Sequence, residues 1–166
     1  MALYDMVFWF FMYSTYGWCY ETIFCSIQNG TFINRGFLFG PYLPIYGFGA
    51  IFVILLLHKK MNKMKQFLLS MVVTTALEYV TSYLLEVIFD KTWWNYNNYT
   101  IQLHGRICLQ ASLLFGVLSV LLINYIHPYV KKLTDKISKK VKIMVSIALA
   151  CGILTDFLFS VIGVLN

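Results

Sequence analysis

Residues 66–89 read QFLLSMVVTTALEYVTSYLLEVIF, and this stretch decides the fold. At 1.5 Å per residue a helix of this length reaches about 36 Å, enough to cross a hydrocarbon core of about 30 Å. Its only charges are Glu78 and Glu86, which fall in register with Thr74 and Ser82 at intervals of four residues. That spacing draws one slowly spiralling polar stripe along an otherwise apolar rod. Lipid offers no hydrogen bonds, so the stripe must face protein or water.

Working outward, four more stretches have the same character. The five expected spans run approximately Val7–Ile27, Pro41–Leu57, Gln66–Phe89, Gly105–His127 and Val141–Leu165. The second is short, so Gly36–Gly40 is expected to dip into the membrane ahead of it. No linker or repeat divides the chain, which reads as a single integral membrane domain over 1–166, an all-α polytopic helix bundle. Composition agrees: 60% of the 166 residues are hydrophobic and 12% charged, with a mean hydropathy of +0.71. Soluble domains carry roughly 45–50% and about 25%. A chain this small cannot hide the excess in its interior, because small domains bury only about 60–70% of their unfolded surface. Disorder, collagen and a disulfide-stapled module are excluded by the same arithmetic.

The net charge of +6 is placed for topology rather than for nucleic acid. Lys59, Lys60, Lys63 and Lys65 form one cluster, and Lys131, Lys132, Lys136, Lys139, Lys140 and Lys142 another, together ten of the thirteen basic residues. Short basic loops stay cytoplasmic, which puts the N-terminus inside and the C-terminus outside, with anionic headgroups as secondary contacts. No basic–aromatic interleaving supports DNA or RNA as a partner. His58 and His127 fall at the cytoplasmic helix ends, where headgroup contact is their expected role. The exterior connections, Gln28–Gly40 and Asp90–His104, hold Asn34, Trp93, Trp94, Asn95, Tyr96, Asn97, Asn98 and Tyr99. They read either as an interfacial aromatic belt or as a binding rim. Cys19, Cys25, Cys108 and Cys151 lack metal-type spacing and read as packing residues. Ser112-x-x-x-Gly116 and Ala148-x-x-x-Gly152 read as close helix contacts. The first apolar stretch lacks a basic n-region and is expected to be retained.

Ionisable groups inside spans cost about 2.5–3.5 kcal/mol each even on insertion scales. Counted from the cytoplasmic ends, Glu78 lies about 18 Å deep, Glu21 about 21 Å and Asp156 about 22 Å. Gln110 falls at a similar height, with Arg106 and Glu86 near the outer boundary. Arg106 and Gln110, four apart on the expected fourth helix, would share a face. Agreement in depth points to one polar layer in the outer half of the membrane. It is either a set of inter-helix bonds or a cavity with an occupant. Charge tips the balance: Glu21, Glu78, Glu86 and Asp156 outnumber Arg35 and Arg106, which implies protonated carboxyls, a bound cation or a cationic ligand. Glu78 and Arg106 are the pair expected to decide between a structural and a functional role.

No P-loop, zincin or nucleophile-elbow motif occurs, and no catalytic residue, metal or cofactor is implied. Residues 34–49, NRGFLFGPYLPIYGFG, resemble the signature of the CmpB family of small bacterial membrane proteins, type-IV ABC-transporter permeases by name. Gly17-Trp18 with Glu21, Leu77-Glu78-Tyr79 with Leu85-Glu86, Trp93-Trp94-x-Tyr96 and Gly105–Leu109 agree with it, with departures at Asn95 and His104. The likeness covers about residues 10–125. It implies a multi-pass protein of the bacterial cytoplasmic membrane that works with a separate ATP-binding subunit or a second membrane copy. The function expected is binding or transport of a small solute or ion through the polar layer. Its residues would be Glu21, Asn34, Arg35, Glu78, Glu86, Trp93, Trp94, Arg106, Gln110 and Asp156. The alternatives are an enzyme acting on a lipid or prenyl substrate at the exterior interface through Glu86, His104 and Arg106, or an accessory subunit of a membrane complex.

Overall fold

The computed structural model describes residues 2–57 and 60–165, apart from the side chain of Leu165. His58 and Lys59 therefore lie outside the described residues. The elements are α1 (Leu3–Asn29), α2 (Pro44–Leu56), α3 (Lys63–Phe89), β1 (Gln102–Leu103), β2 (Ile107–Cys108), α4 (Leu109–Leu121), α5 (His127–Thr134) and α6 (Lys139–Leu165). A π-helical turn, Leu122–Ile126, carries α4 into α5 without a break. The chain falls into two compact units: a first, up to Phe48 and from Thr134 onward, and a second, Gly49–Leu133.

Among the described residues, three rods are long and apolar enough to cross a membrane: Lys63–Phe89, Leu109–Thr134 and Lys139–Val164. Five were expected, and the shortfall has physical causes. α2 has 13 residues, and at 1.5 Å each it extends only about 20 Å. Pro44 opens it at the first helical position. Residues 41–43, expected to be helical, instead form a tight turn in which Tyr42 N donates to Gly40 O and Leu43 N to Ser14 O. α1 has the length, 27 residues, but its apolar run is diluted by Asp5, Glu21 and six Tyr and Trp residues between Tyr4 and Tyr20.

The fourth rod begins four residues later than expected and runs on to Thr134. Gln102↔Cys108 and Leu103↔Ile107 pair as antiparallel strands. The turn between them needs two left-handed residues, His104 (φ 53°) and Gly105 (φ 66°). A side chain at Gly105 would also strike Asn97 Oδ1. Arg106 thus sits in a hairpin rather than on a helix, and the face it was expected to share with Gln110 does not exist. The helix starts where Cys108, extended and with Sγ accepting from Ala111 N, caps it. At the other helix ends, Asn62 Oδ1 caps α3 through Met64 N at 2.8 Å. Asp90, left-handed, closes it by donating to Glu86 O, and a left-handed Gly30 follows α1.

In the second unit the burial pattern is inverted relative to a water-soluble helix. The buried residues of α3 are Gln66, Ser70, Glu78 and Ser82, and those of α4 are Ser112, Gly116 and Ser119. Leu68, Leu69, Val72, Val80, Leu84, Val87 and Ile88 of α3 face outward. α3 and α4 approach closely enough that a Cβ on Gly116 would meet the Phe67 ring at 2.7 Å. Polar and small residues inside with large aliphatic residues outside is the arrangement that lipid selects. In the first unit, only 6% of the apolar stretch of α6 is buried, so its outward surface also faces a non-aqueous medium. The protein is a membrane protein.

The same unit corrects one lysine. Lys142, placed above in the exposed cytoplasmic cluster, is buried, with Nζ 2.8 Å from Asp5 Oδ1. Lys131, Lys132, Lys136, Lys139 and Lys140 are exposed.

Candidate functional site

The second unit gathers five of the expected residues at one end of α3. Glu78 is 4% exposed, and its Oε1 accepts the Tyr96 hydroxyl at 2.9 Å. Two turns further on, Glu86 Oε2 meets Arg106 Nη2 at 2.6 Å. The Arg106 guanidinium also lies 5.6 Å from the ring centres of Tyr79 and Tyr83. Those faces attract a cation, which accounts for its buried Nε having no hydrogen-bond partner among the described residues. The close ion pair of Arg106 is therefore with Glu86 and not with Glu78, the acid against which its structural and functional roles were weighed. The hairpin carries Arg106 to the helix end, beside Glu86.

The loop between α3 and the hairpin is tied down over this end of the helix. Trp94 Nε1 donates to Arg106 O at 2.9 Å, and Tyr96 N donates to Gly105 O at 2.8 Å. Trp93 packs edge-on against Phe89 with ring centres 5.9 Å apart. Tyr79 Oη and His104 Nδ1 are 2.9 Å apart. Gln110 stays outside: it is exposed on the first turn of α4, with no side-chain partner among the described residues.

The polar stripe is longer than the sequence reading made it. Continuing the interval of four back from Thr74 gives Ser70 and Gln66, both 0% exposed. Gln66 Oε1 accepts from Asn124 Nδ2 at 2.7 Å, and Asn124 sits in the π-helical turn. Thr75 Oγ1 donates to Ser112 Oγ at 2.7 Å. Gln66 and Ser70 were findable from the same spacing. Asn124 was findable as the lone amide in an apolar run.

The first unit holds the remaining four residues in a different arrangement. Glu21 on α1 accepts from Arg35 Nε (3.2 Å) and from the Tyr46 hydroxyl (2.7 Å). Trp18 Nε1 donates to Asn34 Oδ1 at 2.7 Å, and Asn34 Nδ2 donates to Phe39 O at 3.3 Å. Asp156 on α6 accepts from Phe39 N (3.1 Å), Gly40 N (2.8 Å), the Tyr42 hydroxyl (2.6 Å) and Ser160 Oγ (3.3 Å). Every bond in this set ends on the segment 34–46 or its supports, so the network fastens that irregular segment to α1 and α6. Gly17 and Gly47 let the start of α2 press against α1: side chains there would collide with Tyr46 and with Ser14 and Phe10.

The second unit's site therefore has a buried carboxylate on a membrane-crossing rod and a neutralised ion pair near the helix end. Chemically, a carboxylate so placed can hold a proton or a cation. Among the described residues, no three His, Cys, Asp or Glu gather as a metal site.

Comparison with known proteins returned no match among curated proteins and none among solved structures. A family model did match, over residues 8–161: the CmpB family, described as Putative ABC-transporter type IV. That span takes in most of α1, the fastened segment, the α3 column, the hairpin and most of α6. The chain belongs to the CmpB family.

Proposed function

We propose that this protein is the membrane-spanning component of a transporter and that the polar column of α3 handles a small solute or ion. One observation carries the reading: Glu78 is 4% exposed on a helix of membrane-crossing length. An ionisable group there costs about 2.5–3.5 kcal/mol, which a hydroxyl making the same hydrogen bond would avoid. In this reading Tyr96 positions the Glu78 carboxylate, the Glu86–Arg106 pair forms the outer rim, and Trp93 and Trp94 line the approach. Glu21, Asn34, Arg35 and Asp156 shape the segment 34–46 within the first unit, and Gln110 is peripheral.

The 166 residues contain no G-x-x-x-x-G-K-[ST] motif, and in this reading energy from ATP is supplied by an ATP-binding partner. A second membrane copy is the other expected partner. In this reading the membrane is the bacterial cytoplasmic one, the lysine clusters stay on its inner side with the N-terminus, and the chain crosses five times, with α2 and the segment 36–43 together making the second crossing. A reporter fused after Leu165 then reads exterior, and one after Lys63 or Lys136 reads cytoplasmic.

Native purification with mass spectrometry of the associated proteins tests the reading first. An ATP-binding subunit should co-purify, and its absence across several mild detergents would overturn the transporter role. In the complex obtained, Glu78→Gln should assemble at wild-type abundance yet lose solute-coupled ATP hydrolysis. Full activity in that variant would remove Glu78 from the mechanism.

A further inference from the structure

A groove of about 470 Å³ runs along the outer side of the second unit. One wall is α3, from Met71 through Val72, Thr75, Ala76 and Tyr79 to Val80. The other is formed by Leu103 and Ile107 of the hairpin with Leu109 and Ser112 of α4. Its only hydroxyls apart from Tyr79 are already engaged, Thr75 with Ser112 and Ser112 with Cys108 O at 3.0 Å. The floor thus offers a ligand nothing but apolar surface. A water-soluble solute would lose its hydration there and gain no hydrogen bond in exchange.

The surroundings identify what does fit. The groove opens onto the face that exposes Val72 (62%), Val80 (52%) and Leu109 (39%), between two rods of membrane-crossing length. Its occupant therefore enters sideways from the bilayer. From Met71 to Tyr79 is about 12 Å along the helix, and pockets of about 300–1,000 Å³ hold single drug-sized molecules. That space takes one hydrocarbon chain and not a whole two-chain lipid. Polar groups come only beyond the Tyr79 end, outside the lining itself. His104 is exposed and held left-handed at the hairpin turn, its Nδ1 bonded to the Tyr79 hydroxyl. In the tautomer in which Tyr79 donates to Nδ1, the ring N–H is on Nε2, a donor available to an anionic oxygen.

We infer that this groove is a phospholipid site: one acyl chain lies along Met71–Tyr79 and the headgroup phosphate accepts from His104. The inference rests on the membrane location of α3 and α4 and is independent of the solute reading of Glu78. A lipid so held would wedge the hairpin against α3.

The full chain in phosphatidylglycerol nanodiscs, with a diazirine on the palmitoyl chain, provides the test. Photolabelling mapped by peptide mass spectrometry should concentrate on Met71, Val72 and Ala76, several-fold above the exposed Leu154, Phe157 and Ile162 of α6. Ala76→Trp fills the groove and should return labelling to the α6 level; Val80→Trp serves the same purpose should Ala76→Trp lower thermal stability. Equal labelling of groove and α6 would overturn the site, as would enrichment that survives both tryptophans. His104→Ala should cut the enrichment at least twofold for phosphatidylglycerol and leave it unchanged for a diacylglycerol probe without phosphate. Enrichment with phosphatidylglycerol that ignores His104→Ala would overturn the headgroup assignment.

Discussion

The two units treat their membrane-region acids in opposite ways. In the first, Asp156 and Glu21 accept from backbone N–H groups, hydroxyls and an arginine that all belong to the segment 34–46 or its supports. In the second, Glu78 belongs to a column of buried polar side chains running most of the length of α3. A carboxylate that gathers backbone donors acts as a fastener, because removing it leaves several orphaned N–H groups at once. A carboxylate on a column of hydroxyls and amides has neighbours that can re-pair without it. Residue type and depth, the two quantities a sequence yields, do not separate these roles; the number and kind of donors does.

The comparison can be broken or sharpened by substitution, with thermal unfolding in detergent as the common measurement. The largest effect is expected at Arg106. Removing one partner of a largely buried pair costs about 3–5 kcal/mol, and since Glu86 is 40% exposed the lower end applies to Arg106→Ala. The double variant Arg106→Gln with Glu86→Gln should recover most of it, and no recovery would mean that the pair is not the source of the loss. Next comes Asp156→Ala, which orphans the half-buried Gly40 N at about 1–3 kcal/mol, while the exposed Phe39 N can turn to solvent. Its companion is Asp156→Asn, which keeps an acceptor and should fall in between. If Asp156→Ala melts like wild type, the first unit's acid is no fastener and the contrast collapses. Glu78→Gln should cost less than about 1 kcal/mol, since the amide oxygen can still accept from Tyr96. A loss as large as that of Asp156→Ala would put both acids in one class. Smallest is Gln110→Ala, within about 0.5 kcal/mol of wild type as for surface substitutions generally.

Much of the architecture was readable because helices in lipid announce themselves through long apolar runs. α3 and α6 came out within a few residues, and the four-residue interval drew the polar column correctly as far as it was followed. Arg106 shows where that reasoning stops. A period of four assigned it to a helix, whereas His104-Gly105 imposes a left-handed turn and puts it in a hairpin. That it meets Glu86 rather than Glu78 depends on where the loop docks, which no local pattern encodes. Asp156 shows a second limit. Two of its partners are main-chain N–H groups of Phe39 and Gly40, and the backbone of one residue reads like that of any other. Lys142 is a third: it was grouped with its exposed neighbours by proximity in sequence, while Asp5, its partner, lies 137 residues away.

The π-helical turn has a consequence of its own. A helix widened for one turn is a joint in an otherwise stiff rod, and joints in lipid need sealing because the medium cannot hydrate an opened backbone. Here Asn124 gives one amide hydrogen to Val120 O at 2.8 Å, within its own rod, and the other to Gln66 on α3 at 2.7 Å. A primary amide nitrogen has two hydrogens and no more. Its capacity is fully subscribed, so the gasket of one rod and its tether to the next are the same atom. Exchanging that nitrogen for a carboxylate oxygen, the smallest edit available at this position, would remove both donated hydrogens together.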